Sequence, residues 1–416
     1  MMKELFEKAL GISRPWFIDD LKFDVNSRRL DIHIDFEAGS KFEYVSEEEH
    51  ISGTYGVYDT VEKTWRHLNF FQHECYLNCR VPRVKPEDGK TRQIEAPWAG
   101  KSNGFTLLFE ALLMQLCCEM PVNAVSRLTN VDDNKLWRML QRYVEEARKH
   151  EDFSDVTKIG LDETSKKKHH DYVTLFVDLE QKKTIYVTEG KDHTTVDRFT
   201  EDLKAHKGKK ENITDVSCDM SPAFIKGINE NLKNAKITFD KFHLVKIIST
   251  AVGDVRKAES QENEILKGTK YIFDKNRENM SEEQLKYLQE KLELKGLRFK
   301  TVRAFHLRES FQEIYKSLTK EQFIENLEKW YSWAVRCRLE PMKKAAKTIK
   351  EHWDGVIQWY DSRINNGILE GLNSLIQSAK SKARGFKTFR NFMVVIYLVT
   401  GNLDFTKVNA DYEPLT

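Results

Sequence analysis

Residues 157–165 read Thr-Lys-Ile-Gly-Leu-Asp-Glu-Thr-Ser, and the rest of the chain is interpreted outward from this stretch. A short apolar run at 159–161 delivers one carboxylate, Asp162, and then stops in polar residues. Two more runs, rich in β-branched and aromatic residues, follow at 172–179 and 184–187. The pattern predicts three successive strands with a carboxylate at the end of the first. An acidic residue in such a place is usually a plain surface residue, so its meaning depends on where the other carboxylates fall.

Two later segments also read as strands that lead into an aspartate. Residues 213–219 end in Asp219, and residues 235–239 lead into Asp240-Lys241-Phe242-His243 and a helix. The order along residues 157–255 is three strands, a helix, a strand, a helix, a strand and a helix. This order predicts an α/β fold with a mixed sheet and helices on its faces.

Residues 256–355 show helical patterns and no strand signal. Ser-Glu-Glu-Gln at 281–284 and Thr-Lys-Glu-Gln at 319–322 are capping-box sequences. This stretch is predicted to be an all-helical domain inserted into the α/β one. The α/β part would then resume within residues 356–416.

A helix that begins near residue 367 carries a line of polar side chains on one face. The line consists of Asn366, Glu370, Asn373, Gln377, Lys380 and Arg384, with Lys382 and Lys387 close by. The predicted buried stripe of this helix consists of Ile368, Leu372, Leu375, Ile376 and Ala379. A solvated helix face explains such a line equally well. The functional interpretation is that Glu370 faces a metal site while the cations follow a nucleic-acid backbone.

Three carboxylates that converge on one point have a definite chemistry. Two Mg²⁺ ions, about 3.5–4 Å apart, need bridging and terminal oxygen ligands for in-line attack on phosphorus. Aspartates at strand ends can supply fixed ligands, and a glutamate on a helix can complete the set. Asp162, Asp219 and Glu370 are the candidates. Glu163 points away from Asp162 on an alternating backbone and is not predicted to be a ligand.

Residues 101–155 contain a candidate helix-turn-helix. Residues 105–120 are apolar nearly all round, as in a buried helix, and Pro121 can open a second helix that ends near Asn130. Asp132 or Asp133 can cap a third helix. The third helix would present four polar residues to DNA, namely Asn134, Lys135, Arg138 and Arg142. An ordinary helical hairpin with a solvated face is an equally good reading of the pattern.

The first hundred residues are predicted to be β-rich, with strands at 30–36 and 75–81. Cys75 and Cys79, with two nearby histidines, could suggest zinc. Structural zinc sites usually take their ligands in two pairs, and no second cysteine pair exists nearby. Two thiols on the same face of a strand, packed in the core, are the better interpretation.

The composition fits a protein with a large charged surface and no membrane span. Charged residues make up 32% of the 416 residues, the net charge is +2, and the six cysteines do not form a disulfide framework. The longest apolar run, at 392–399, is too short to cross a bilayer. The first residues lack a signal-peptide core. We therefore expect an intracellular protein without a membrane partner.

The chain resembles the DDE transposases of bacterial insertion sequences, specifically the ISL-three family, over nearly its whole length. The matching motifs are Gly160-Leu161-Asp162-Glu163, Val216-Ser217-Cys218-Asp219-Met220-Ser221, Asp240-Lys241-Phe242-His243, Asn366-Gly367-Ile368-Leu369-Glu370-Gly371-Leu372-Asn373, Trp65-Arg66-His67-Leu68 and Val81-Pro82-Arg83-Val84. No single motif is decisive, but their order and separations together are specific.

The resemblance implies a ribonuclease-H-like catalytic core interrupted by an all-helical insertion. It implies five regions: a β-rich N-terminal domain at 1–100, a helix-turn-helix domain at 101–155, a first core part at 156–255, the insertion at 256–355 and a second core part at 356–416. Asp162, Asp219 and Glu370 would bind two Mg²⁺ or Mn²⁺ ions, with Asp240 and His243 as a motif near the site.

One departure from the family concerns its N-terminal zinc finger with paired cysteines. The first pair is expected within residues 46–50 and the second within residues 85–89, and neither stretch holds a cysteine. We therefore expect no zinc in this domain.

The leading hypothesis is a transposase that binds double-stranded DNA at terminal inverted repeats and joins the cut ends to target DNA. The resemblance implies a homodimer or higher multimer on DNA in the bacterial cytoplasm. The alternatives are a sequence-specific DNA-binding protein, or a nuclease, derived from a transposase and without strand transfer.

Overall fold

The computed structural model describes residues 2–46, 49–102, 104–165, 172–293, 299–364 and 367–413. By its internal contacts the chain divides into two units. The first comprises Met1–Glu151, Ala379–Val399 and Leu403–Thr416, and the second comprises Asp152–Ser378 and Thr400–Asn402. In the described part of the chain, no helix is both long and apolar enough to cross a membrane.

The first unit opens with a helix and a six-stranded sheet. Its elements are α1 (Met2–Leu10), β1 (Trp16–Asp24), β2 (Arg29–Phe36), β3 (Lys41–Ser46), β4 (Ile51–Phe70), β5 (His73–Val84) and β6 (Arg92–Gln93). The strand order is β1-β2-β5-β4-β3, and β6 pairs with β5. The two strands predicted in this region are present as β2 and β5.

The two cysteines of β5 lie in the apolar core of this sheet. Cys75 and Cys79 are buried beside Leu30, Ile34 and Leu77, because alternate residues of a strand share one face. Burial raises the pKa of each thiol to about 12. Both therefore behave as packed apolar side chains.

Three helices follow the sheet in the first unit. They are α2 (Leu107–Glu119), α3 (Val122–Thr129) and α4 (Asp133–Lys149). Helix α3 ends at Asn130, whose φ of 56° is left-handed, and a short turn leads to α4. The Asp132 carboxylate caps α4 by accepting from the backbone N–H groups of Asn134 and Lys135. The predicted short helix, turn and longer helix are therefore present.

The second unit is built on a five-stranded mixed sheet. Its strands are β7 (Lys158–Ser165), β8 (Tyr172–Asp178), β9 (Lys183–Glu189), β10 (Asp215–Cys218) and β11 (Lys236–Phe239). Their order is β11-β10-β7-β8-β9. Strand β10 pairs in parallel with both of its neighbours, whereas β7, β8 and β9 pair antiparallel. The predicted mixed sheet is thus observed.

The first strand of this sheet is longer than predicted. Asp162 was expected at its end, but β7 continues to Ser165 because Asp162 pairs with Leu175 and Ser165 with Tyr172 on β8. The parallel pairing with β10 stops earlier, at Gly160. Asp162 is therefore held by an antiparallel neighbour on one side while its other side faces the end of β10.

Helices make up the rest of the second unit. They are α5 (Thr194–Ala205), α6 (Pro222–Asn231), α7 (Lys241–Glu259), α8 (Lys270–Asp274), α9 (Glu282–Tyr287), α10 (Lys300–Ile314), α11 (Lys320–Arg336), α12 (Glu340–Glu351) and α13 (Trp353–Ser362). The described residues between 256 and 355 contain no strand. The capping box at Ser281 forms in full, whereas at Thr319 only the threonine side chain caps the helix.

Two further helices, α14 (Gly367–Ala383) and α15 (Phe389–Thr400), complete the fold. The predicted buried stripe of α14 is partly wrong, because Leu375 is 52% exposed and Leu369 is buried instead. Leu369 packs against Val177 and Leu179 of the second unit, so the contact face of the helix is rotated toward it.

Candidate active site

Three carboxylates stand side by side at one edge of the second sheet. Ser217 on β10 pairs with Gly160, and Cys218 pairs with Phe239 on β11. Continuing this register by one or two residues puts Asp219 between Asp162 and Asp240. Neighbouring strands lie about 4.8 Å apart, and parallel strands end at the same edge. The fold therefore places these three acids in a row.

Asp162 shows the electrostatic effect of this crowding. Burial, with a smaller contribution from the charges of Asp219 and Asp240, raises its pKa to about 6. The backbone N–H of Glu163 donates to Oδ1 of Asp162 at 2.7 Å, and it opposes the rise together with His243. The pKa of Glu163 is also raised, mainly by burial and in addition by the charge of nearby Asp219. The edge thus concentrates negative charge that the protein only partly offsets.

Asp240 and His243 form a hydrogen-bonded pair at the start of α7. Oδ1 of Asp240 accepts from the backbone N–H of Phe242 at 2.9 Å, which caps the helix, and Oδ2 lies 2.9 Å from Nδ1 of His243. This hydrogen bond raises the pKa of His243, and the charges of Asp219 and Asp162 add to the rise. A protonated imidazole is therefore favoured beside the carboxylates.

Asp219 is fixed by the turn into α6. Its Oδ1 accepts from the backbone N–H of Ser221 at 3.0 Å, directly before Pro222 opens the helix. In the part of the chain that the structure describes, the second oxygen, Oδ2, accepts no hydrogen bond.

Glu370 lies on the first turn of α14 and is exposed. It lines a cavity of about 1410 Å³ together with Asp240, Phe242 and Arg363. Among the described residues, no group of three or more His, Cys, Asp or Glu side chains is arranged to hold a metal ion. The structure therefore brings Asp162, Asp219, Asp240 and His243 together, and it does not place Glu370 in a shared metal site with them.

The donors present fit a hard divalent cation. Asp162 and Asp219 offer carboxylate oxygens whose mutual repulsion a cation would relieve. Beside them Asn373 donates its Nδ2–H to Oδ2 of Asp162. Its amide oxygen Oδ1 is buried and has no hydrogen-bond partner among the described residues. An orphaned buried oxygen next to crowded carboxylates is what a cation or its water ligand would satisfy.

The predicted DNA-contacting residues of α4 are on its surface. Asn134, Lys135, Arg138 and Arg142 are all exposed, whereas Leu136, Leu140 and Val144 are buried against the unit. Arg142 also donates to the backbone carbonyl of Lys101.

The predicted basic line along α14 is only partly helical. The helix ends at Ala383, and Arg384 follows it with a left-handed φ of 58°, so Arg384 does not continue the helix face. Lys382, Arg384 and Lys387 are exposed, and Lys380 is half-buried. Asn366, the first residue of the predicted line, lies outside the described residues.

The contacts that two amides of α14 make with the sheet were not predicted from the sequence. Gln377 donates its Nε2–H to Oγ1 of Thr164 at 2.7 Å, one helical turn beyond the contact of Asn373 with Asp162. The amides were visible as a line on the helix. Their partners could have been found only by matching the helical spacing of four residues to the strand spacing of two.

Comparison with known protein families assigns the chain. A model described as a transposase, for the DDE domain of the ISL3 family, matches residues 159–396, which is more than half of the chain. A second, described as the helix-turn-helix domain of transposase family ISL3, matches residues 94–144. Together with the carboxylate edge, these matches define a DNA transposase with a helix-turn-helix DNA-binding domain. More narrowly, the chain belongs to the ISL3 family of insertion-sequence transposases.

Individual relatives agree with this assignment. The transposase for insertion sequence element IS1557 of Mycobacterium tuberculosis (strain CDC 1551 / Oshkosh) is 27% identical over 356 residues, which cover 78% of this chain and 79% of the relative. The transposase for IS1001 of Bordetella parapertussis is 23% identical over 352 residues, which cover 82% and 85% of the two chains.

Arg92 links the two stretches of the first unit in which the resemblance led us to look for cysteine pairs. Nε of Arg92 donates to Glu49 at 2.6 Å, and its Nη2 donates to Asp88 at 2.7 Å. These hydrogen bonds lower the pKa of both carboxyls. Tyr44 and Tyr55 add hydrogen bonds to Glu49 and Glu87 respectively. We call Tyr44, Glu49, Asp88 and Arg92 the Arg92 cluster.

Proposed function

We propose that this transposase binds the terminal inverted repeats of an insertion sequence and catalyses metal-dependent cleavage and strand transfer on a ribonuclease-H-like core. The observation that carries the proposal is the row in which Asp219 and Asp240, directly after the parallel strands β10 and β11, come level with Asp162 on β7. A raised pKa within such a cluster is typical of a functional site.

Asp162 and Asp219 would hold two Mg²⁺ or Mn²⁺ ions, and Glu370 would complete the set once DNA is bound. When bound, the ions would activate the attacking hydroxyl and stabilise the leaving oxygen in an in-line displacement at phosphorus. The chain's own residues position these groups: Asp162 is held within β7, Asp219 is held by the turn after β10, and Asp240 holds His243. The charged imidazole offsets part of the negative charge that an approaching phosphate would meet.

The proposal is tested by incubating the protein with labelled element ends, Mg²⁺ or Mn²⁺, and a target plasmid. We expect metal-dependent joining in the wild type and in Asp215→Asn, which alters an aspartate at the opposite end of β10. Asp162→Asn should abolish it. Binding without cleavage in the wild type would instead identify a DNA-binding protein, and nicking without joined product would identify a nuclease.

The exposed polar face of α4 is proposed to read the inverted repeat. Asn134, Lys135, Arg138 and Arg142 have the side chains that contact base edges and phosphates in a helix-turn-helix. A protein of this type acts on paired ends, so a homodimer or higher multimer on DNA is part of the proposal. The DNA that flanks the gene should contain the inverted repeats, and a footprint should coincide with them.

The basic residues at the end of α14 are proposed to follow the DNA backbone. Lys380→Glu combined with Arg384→Glu should weaken DNA binding. It should also make the slope of log K against log salt shallower, by the amount that corresponds to about two lost phosphate contacts. Fluorescence anisotropy at several salt concentrations measures both. An unchanged slope would contradict the assignment, and the exposed Lys382→Glu alone serves as a single-charge comparison.

A further inference from the structure

We propose that a three-rung ladder fixes the position of α14 along β7, and that Asn373 and Gln377 are positioning residues for Glu370. The inference rests on the proposed function of Glu370. The rungs pair Leu369 with Gly160, Asn373 with Asp162, and Gln377 with Thr164. We call these three contacts the α14 ladder.

The geometry of the two elements explains why the rungs match. Successive rungs are four residues apart on the helix and two apart on the strand. Four helical residues rise about 6 Å, and two strand residues rise about 6.6 Å. A helix and a strand that run in the same direction can therefore keep three successive contacts in step.

The first rung is apolar and depends on a missing side chain. A Cβ at Gly160 would lie 2.8 Å from Cδ2 of Leu369 and 2.9 Å from Cδ2 of Leu179. Leu369 is only 4% exposed and packs with Val177, Leu179 and Ile364. Glycine at this position thus lets the helix approach the strand closely.

The other two rungs are polar and specific. Asn373 donates to Oδ2 of Asp162, and Gln377 donates to Oγ1 of Thr164 at 2.7 Å. Thr164 is buried, so its hydroxyl would lose this amide partner if the helix slid along the strand. The polar rungs therefore select one register, which an apolar contact alone would not do.

The consequence concerns Glu370, which lies between the first and second rungs. A slip by one rung would move its carboxylate by about 6 Å along the sheet edge. Phosphoryl transfer depends on placement, and a shift of about 1 Å can cost about 100-fold in rate. Thr164 and Gln377 contact none of the three proposed cation-binding carboxylates in the described hydrogen bonds, so they act on the site through the register.

The test removes the third rung without opening a cavity. Gln377→Leu and Thr164→Val each delete the hydrogen bond and keep the size of the side chain. We expect each to lower kcat for cleavage about 10- to 100-fold and to raise the Mn²⁺ concentration for half-maximal activity, with an unchanged KM for the DNA end. The double variant should be no worse than either single one, because both remove the same contact.

Controls separate the ladder from general damage. Gln377→Glu keeps a partner for the Thr164 hydroxyl and should restore kcat, and Ser374→Ala, an exposed change on the same helix, should behave as the wild type. Hydrogen exchange of α14 should rise in Gln377→Leu. A wild-type kcat in folded Gln377→Leu, additive losses in the double variant, or failure of Gln377→Glu to rescue would overturn the proposal.

Failure of the proposed function gives a different result. If the wild-type protein binds DNA but never cleaves it, the proposed function is wrong, and Mn²⁺ calorimetry on the DNA-bound protein then decides about the ladder. Weaker Mn²⁺ binding in Gln377→Leu than in Ser374→Ala would support the ladder. Equal binding in the two variants would overturn it.

Discussion

The two sheets of this transposase treat their acidic residues in opposite ways. In the first unit, Arg29 holds Asp31 through two hydrogen bonds of 2.6 and 2.7 Å, and Asn78 adds a third. Burial alone would raise the pKa of Asp31, but these partners outweigh it and lower the pKa. In the second unit, burial and, to a smaller extent, the charges of neighbouring carboxylates raise the pKa of Asp162 to about 6.

The difference separates acids that stabilise from acids that are available for chemistry. The charge of a paired carboxylate is balanced by its neighbour, as that of Asp31 is by Arg29. The carboxylates at the edge of the second sheet have one histidine among them and remain able to bind a cation. Under the proposed function, their arrangement lowers stability in the absence of metal and supplies oxygen ligands for it.

The largest expected effect comes from making the same substitution, aspartate to asparagine, once in each sheet. Asp219→Asn should lower cleavage by about a thousandfold or more, because it removes one of the proposed metal ligands. Asp31→Asn should leave cleavage intact below its melting temperature and cost about 1 kcal/mol of stability. Activity assays and thermal melts of both variants make the comparison, which fails if Asp31→Asn is as inactive as Asp219→Asn.

The next effect sharpens the picture of the first unit, where a buried base is kept neutral. Burial lowers the pKa of His67 to about 4, and Arg66 adds to the effect, while Nδ1 of His67 lies 2.9 Å from Oγ1 of Thr106. The unfolded chain takes up a proton near pH 6.5 and the folded one does not. Stability present above pH 6.5 is therefore lost toward pH 4, by at most about 3 kcal/mol.

Hydrogen exchange of β5 between pH 7.5 and 4.5 measures this loss. His67→Gln should lose less stability over the same range. A wild-type protein whose β5 protection is equal at both pH values would show that His67 is not the buried neutral base described.

A slightly smaller effect is expected at the sheet edge of the second unit, and its sign is opposite to that of a paired acid. Because the pKa of Asp162 is raised, the folded state loses stability as the pH rises through about 6. In EDTA at pH 8, Asp162→Asn should raise the free energy of unfolding by at most about 3 kcal/mol. The gain should vanish below pH 4, and denaturant melts at both pH values check it. An Asp162→Asn variant that is less stable than the wild type at pH 8 would contradict the raised pKa of Asp162.

The smallest effect is expected for the Arg92 cluster, because its two carboxylates are exposed to solvent. Arg92→Ala should increase proteolytic cleavage near Glu49 and Asp88, with little change in the global melt. Arg80→Ala, which breaks the pair with Asp35 at 2.7 Å, is the matched control and should not affect these loops. Chelators should have no effect on either protein. About one tightly bound zinc per chain in elemental analysis would contradict the expected absence of zinc.

Much of the fold follows from local patterns in the sequence. Two local patterns show this: the alternation of apolar and polar residues at β2 and β5, and the cap of α4 by Asp132. Each depends only on residues a few positions apart in the chain. The order of strands and helices along residues 157–255, which predicted a mixed sheet, was likewise recognised from such local patterns. Errors arose where a distant partner decides the outcome: β7 passes Asp162 because β8 pairs with it, and α14 turns Leu369 inward because Gly160 leaves room.

The sequence by itself determined the class of this protein and pointed to Asp162, Asp219 and Glu370, because motif order and residue chemistry are written along the chain. Only the tertiary structure decided that Asp240 joins Asp162 and Asp219 in one row, since that depends on the register of three strands far apart in sequence. The α14 ladder likewise required coordinates. It joins residues more than 200 positions apart, and only their packing shows that the helix and strand repeats coincide.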